Sequence, residues 1–241
     1  MKRVSKFWKF KRVTNKVNNE ESTENVLFLD GVIAEESWYS DDVTPKMFRD
    51  ELAECKGDIT VFINSPGGDC FAASEIYTAL KEHNGKVTVK RNGIACSAAS
   101  VIAIAGDMVT MAPTAMMMIH NPSMLLYGQA SELEQGIDFL NEIKEAIINA
   151  YQLKSGLSRS KISHLMDSET WMNARAAHDL GFCDKVLYSE EDEKVTDDMI
   201  FDKTTMVTNT IAAMRKKLKP IPAKPDGVSA EQFEKRLDLL K

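Results

Sequence analysis

The chain has 241 residues, 44% of them hydrophobic, and a formal net charge of −6 at pH 7. That balance argues against a general nucleic-acid binder, and no apolar run approaches the roughly 18 residues needed to cross a bilayer, so neither nucleic acid nor membrane is an expected partner. The four cysteines, Cys55, Cys70, Cys96 and Cys183, show neither zinc-ligand spacing nor a secreted disulfide pattern, which fits a reducing, cytoplasmic compartment.

Met1 to Lys16 carries seven Lys or Arg and no acid, with no apolar signal core after it. It reads as a disordered basic tail within an N-terminal segment 1–24; contact with an acidic partner or nucleic acid is the sharper alternative. Val26 to Leu29 is a predicted strand and Thr44 to Glu54 a predicted helix. Ile59 to Ile63 is strand-like, and Ser65-Pro66-Gly67-Gly68 after it reads as a turn. A helix follows from about Phe71 to His83, with Ile76, Tyr77 and Leu80 on one face. Lys86 to Lys90 alternates as a strand, and Ala98 to Ala105 is apolar and free of breakers, as a buried helix starting near Ser97 would be. Val109 to Met111 and Met116 to Ile119 supply two more short strands. This alternation predicts an α/β layered domain over residues 25–188. Ser131 to Leu153 is a long amphipathic helix whose stripe, Leu133, Ile137, Leu140, Ile147 and Tyr151, is broadened by Phe139, Ile143 and Ala150. So wide a stripe predicts more than one partner surface. Residues 189–241 form a C-terminal extension: an acidic hinge, a helix over Thr196 to Leu218, and a linker marked by Pro220, Pro222 and Pro225.

Three blocks carry chemistry. A serine hydroxyl is a poor nucleophile at neutral pH; it needs a base, an acid that orients the base, and donors for the developing oxyanion. Ser97 lies among Gly93, Ala95, Cys96, Ala98 and Ala99, small neighbours that let a substrate backbone approach. The glycines of Ser65-Pro66-Gly67-Gly68 offer bare backbone, and the Gly68 N–H is a candidate oxyanion donor. His120, at the end of Met116 to Ile119 and before Asn121-Pro122, is placed to face a cleft, whereas His83, His164 and His178 lie in polar or amphipathic helical contexts. Singly, each block also reads as ordinary packing or an ordinary turn.

Taken in order, Ile63-Asn64-Ser65-Pro66-Gly67-Gly68, Gly93-x-Ala95-x-Ser97-Ala98-Ala99 and Met118-Ile119-His120-x-Pro122 resemble the ClpP-type serine peptidases. The likeness continues through Glu169-Thr170-Trp171-Met172-Asn173-Ala174 and Ala177-x-x-Leu180-Gly181-Phe182-Cys183-Asp184, and is strongest to the ClpP-like peptidases of phages and prophages that act in head maturation. The resemblance implies a ClpP/crotonase-like layered superfold with a projecting long helix. It implies Ser97 as nucleophile, His120 as general base, and the N–H groups of Gly68 and Ala98 as the oxyanion hole. For the orienting acid, ungapped alignment gives Glu169, before the aromatic Trp171; Asp167 is the alternative. Cys96, where the family usually has Ala, invites a rival thiol nucleophile, but the family register points Ser97 at the base.

The function so implied is a serine endopeptidase that assembles into homo-oligomeric rings and cleaves capsid or scaffold proteins of a phage head. The alternatives are a proteolytic subunit fed by a separate ATPase and a catalytically inactive scaffold ring. No cofactor or metal is expected, since the chain has neither a phosphate-binding Gly-x-x-x-x-Gly-Lys-Ser/Thr motif nor clustered ligands.

Overall fold

The computed structural model describes residues 6–17, 20–33 and 45–188. Strands β1 (Trp8–Val17) and β2 (Glu20–Ile33) pair antiparallel. Helix α1 (Pro45–Ala53) leads to β3 (Ile59–Gly68), α2 (Cys70–Lys81), β4 (Val87–Cys96) and the short α3 (Ala98–Ala103). Strands β5 (Met108–Met111) and β6 (Met116–Ile119) precede the long α4 (Ala130–Ser155), then α5 (Arg159–Asp167), β7 (Thr170–Asn173), α6 (Ala174–Asp179) and β8 (Lys185–Val186). One sheet runs β1-β2-β3-β4-β5-β8, and β6 branches from β4 to carry β7. The predicted α/β architecture and its projecting long helix are both present.

The order follows from local chemistry. In β4, Val87, Val89 and Arg91 are buried while Thr88 and Lys90 are half-buried, the period of two expected of a pleated strand. In α2, Ala72, Ile76 and Leu80 recur at helical spacing and pack inward, and the Asp69 carboxylate caps the start by accepting from Ala72 N at 2.7 Å. One core cluster joins β2, β3, β4, α1, α2 and α3; a second gathers β6, β7, α5, α6 and the C-terminal half of α4. Arg91 is wholly buried in the second region, where its guanidinium donates to the Phe182 carbonyl; burial lowers its pKa to about 10, so it stays charged at neutral pH.

Two expectations are revised. Where a disordered basic tail was expected, Trp8–Val17 is a strand, with Trp8 buried edge-on against Phe48 at 5.5 Å between centroids. The lysines beside it pack on aromatic faces: Lys6 Nζ lies over the Trp8 ring, 5.5 Å from its centre, and Lys11 Nζ over the Phe28 ring, 5.1 Å from its centre. Ser65 to Gly68 is not a turn but the end of β3, paired with β2 through Val32↔Gly67 and Ile33↔Gly68. Residues 1–5 and the C-terminal extension, with its expected helix and linker, lie outside the described residues.

The stripe of α4 divides along its length. Tyr151 and Ile148 are buried, Ile147 packs partly against the second core, and Leu133, Ile137 and Phe139 are exposed, Ile137 at 58%. Leu125 and Tyr127, in the segment before α4, are fully exposed. An apolar face of this kind is uncommon on a soluble monomer. Leu133→Glu with Ile137→Glu is therefore expected to split an oligomer into smaller folded species in sedimentation velocity. A wild-type chain that sediments as a fully active monomer at micromolar concentration would show that this face needs no second copy.

Candidate functional site

Strands β3, β4 and β6 are mutually parallel, and in such sheets ligands gather beyond the carboxyl ends of the strands. The three sequence blocks all lie there. Gly68 ends β3, Ser97 follows the last residue of β4, and His120 follows the last residue of β6. The Cys96↔Met118 pairing places the two catalytic candidates side by side, and Ser97 N donates to Met118 O at 2.9 Å. The result is a hydrogen bond of 2.7 Å between His120 Nε2 and Ser97 Oγ.

Ser97 caps α3 at φ 55°, ψ −128°, a conformation that L-residues seldom adopt. Only three non-glycine residues have positive φ among the described residues, and two of them are Ser97 and Glu169. Strain of this kind persists where the surroundings over-determine it, and it concentrates at working sites. Here Ser97 is held at its N–H by Met118 O and at its carbonyl by Ser100 N, 2.9 Å in each case. The glycine strand presses against it. A Cβ on Gly67, at φ 104°, would stand 2.7 Å from Cys96 O, 2.8 Å from Ser97 Cβ and 3.1 Å from Ala98 N. No side chain fits at Gly67, so the end of β3 lies bare against Ser97 and Ala98.

The two carboxylates are placed differently. Antiparallel pairing of β6 with β7 runs from Met116↔Asn173 to Ile119↔Thr170, so the next step sets His120 opposite Glu169. Burial lowers the His120 pKa below its ordinary 6.5, and the charge of Glu169 works in the opposite direction. Trp171 Nε1 donates to Glu169 Oε1 at 3.4 Å. Asp167, the last residue of α5, is occupied elsewhere: its Oδ1 accepts from Lys144 Nζ at 2.6 Å and from Asn121 Nδ2 at 2.9 Å, and these bonds hold its pKa below the usual carboxylate value. Asn121 and Lys144 carried no signal in the sequence, because their link to Asp167 crosses 46 and 23 residues.

Cys96 is 3% exposed, and burial pushes its pKa up to about 12, so it is a neutral thiol at pH 7. Among the described residues no helix is long and apolar enough to cross a membrane.

Known proteins resemble this chain over the same region. Residues 11–190 match the family described as Clp protease. The ATP-dependent Clp protease proteolytic subunit 1 of Chlamydia abortus is 32% identical over 155 residues, which are 63% of this chain and 81% of that protein. The ATP-dependent Clp protease proteolytic subunit of Bacteroides fragilis is 33% identical over 132 residues, 54% of this chain and 64% of that protein. The matched span takes in the β3 end, Ser97, His120 and both carboxylates, and on that breadth of agreement the chain belongs to the Clp protease family.

Proposed function

We propose that this peptidase is a serine endopeptidase in which Ser97 attacks the peptide carbonyl and His120 takes its proton. The observation that carries the reading is the 2.7 Å contact between His120 Nε2 and Ser97 Oγ, made by a serine in a strained backbone conformation. Neutral His120 accepts the Ser97 proton as the Oγ–C bond forms. The N–H groups of Gly68 and Ala98 stabilise the tetrahedral oxyanion. The imidazolium then protonates the leaving amine, and water, activated by the same ring, releases the acyl group. Glu169 holds the imidazole tautomer and stabilises its charged form; its place opposite His120 in the β6–β7 register supports this over Asp167, whose carboxylate is already engaged by Lys144.

The substrates we propose are capsid or scaffold proteins of a phage head, processed by a homo-oligomeric ring. This rests on the likeness of the motif blocks to head-maturation peptidases. A second reading is favoured by the printed names of the relatives, which are ATP-dependent proteolytic subunits: a ring supplied with unfolded chains by a separate ATPase. Mass-spectrometric mapping of capsid-protein termini, with wild-type chain and with Ser97→Ala, separates the two. New termini that need Ser97 but not ATP support head processing. Intact capsid proteins, together with ATP-dependent degradation of a folded protein by the chain plus an unfoldase, would replace it with the second reading.

A further inference from the structure

Ser100 and Tyr151 are polar groups buried in an otherwise apolar region, at 0% and 1% exposure, and the catalytic scheme above uses neither. They are hydrogen-bonded to each other, Ser100 Oγ to Tyr151 Oη at 2.6 Å, across 51 residues of sequence from α3 to α4. Ser100 Oγ also donates to the carbonyl oxygen of Ser97 at 2.5 Å. A hydroxyl has one proton. The Ser97 carbonyl can only accept, so the Ser100 proton goes there, and Tyr151 must therefore donate to Ser100. The direction of the whole chain is fixed: Tyr151 O–H to Ser100 Oγ, Ser100 O–H to Ser97 O.

The Ser97 carbonyl and the Ala98 N–H belong to one peptide group. That group is planar and trans, so its C=O and N–H point in opposite directions, and whatever fixes the oxygen fixes the N–H. Ser97 O receives two donors, Ser100 N at 2.9 Å and Ser100 Oγ. Tyr151 is itself held rigidly, its ring edge-on to Phe182 at 5.6 Å and 89°. Without these bonds the strained peptide after Ser97 could rotate toward an ordinary conformation and carry the Ala98 N–H away from the reacting carbonyl.

We infer that Ser100 and Tyr151 are positioning residues for the oxyanion hole: a buried relay from α4 that holds the Ser97–Ala98 peptide with its N–H aimed at the developing oxyanion. This rests on the reading of Ser97 as nucleophile and of the Ala98 N–H as oxyanion donor. The relay acts on the transition state and leaves the resting His120 untouched. Its loss therefore lowers kcat with little change in KM, weakens transition-state analogues in proportion, and leaves the pH midpoint in place. Deleting an oxyanion donor outright costs about 10²–10³ in kcat, and a donor displaced but still present should cost less, about tenfold or somewhat more.

The test uses the full chain with a fluorogenic peptide and a peptide boronate, comparing wild type, Tyr151→Phe, Ser100→Ala, the double variant, Ser100→Thr and Ser97→Ala. In Tyr151→Phe and Ser100→Ala, kcat is expected to fall about tenfold or more with KM within about twofold, and boronate affinity to fall by the same factor as kcat. The double variant should lose no more than the worse single one, because both cut the same relay. Ser100→Thr, whose hydroxyl can reach the same carbonyl one turn back, should recover most of the activity. Tyr151→Phe is nearly isosteric and keeps the test valid if Ser100→Ala or Ser100→Thr fails to fold. A folded Tyr151→Phe with wild-type kcat and boronate affinity overturns the inference, as does a loss confined to KM or a shifted pH midpoint. Should Ser97→Ala stay active, it is the reading of the nucleophile that has failed; a dead Ser97→Ala beside a fully active Tyr151→Phe removes the relay alone.

Discussion

Ser97→Ala is expected to remove peptide hydrolysis almost completely, by about 10⁶ in kcat, the loss typical when a triad serine is deleted. The protein should remain folded, since the strain at φ 55° is imposed by the Met118 and Ser100 hydrogen bonds at the backbone and not by the hydroxyl. Cys96→Ala is the companion experiment. Cys96 precedes Ser97 and is the stronger nucleophile in principle, but only as a thiolate. At 3% exposure, with a pKa pushed up to about 12, it stays protonated, and the 2.7 Å hydrogen bond at His120 Nε2 is made with the Ser97 hydroxyl instead. Cys96→Ala should therefore keep activity, at a modest cost in stability from a lost sulfur. A dead Cys96→Ala beside an active Ser97→Ala would reverse the assignment.

Glu169→Gln is expected to lower kcat by about 10⁴ in a folded protein, the magnitude seen when a triad acid becomes an amide and the imidazole takes the wrong tautomer. Asp167→Asn should cost far less, because Asp167 ties α5 to Lys144 and Asn121 and its carboxylate is spent on that clip. The pH profile adds an independent check. In the proposed mechanism His120 is a neutral base, so kcat/KM should be present above its pKa and lost as pH falls through it. Burial lowers that pKa, so the wild-type midpoint is expected below 6.5. The Glu169 charge is the influence raising it, and its removal should move the midpoint lower still. If Asp167→Asn is the crippling change, the acid is Asp167 and the β6–β7 register misidentifies it.

Much of this arrangement was legible because it is local. Ile59 to Ile63 and Lys86 to Lys90 are short β-branched or alternating runs, and Ala98 to Ala105 has no breaker, so strands and a buried helix follow from neighbours alone. What escaped is long-range. Pro66-Gly67-Gly68 has the composition of a turn, yet pairing with Val32 and Ile33 keeps it in the sheet. Trp8 and Phe10 look like ornaments on a basic tail until Phe48, 40 and 38 residues away, packs against both. The site divides in the same way. Ser97, His120 and the glycine pair announce themselves by motif. The choice between Glu169 and Asp167 needs the β6–β7 register, and the Tyr151–Ser100 bond is invisible in a helix stripe that reads as uniformly apolar.

The most direct measurement is covalent trapping of the native protein with a fluorophosphonate, followed by peptide mapping of the adduct. The contact between His120 Nε2 and Ser97 Oγ predicts a single phosphonylated residue, Ser97, formed in a pH-dependent way and blocked by a competing peptide boronate. No adduct on folded protein would leave a protease-like scaffold in place of an enzyme, and an adduct on any other residue would contradict the site itself.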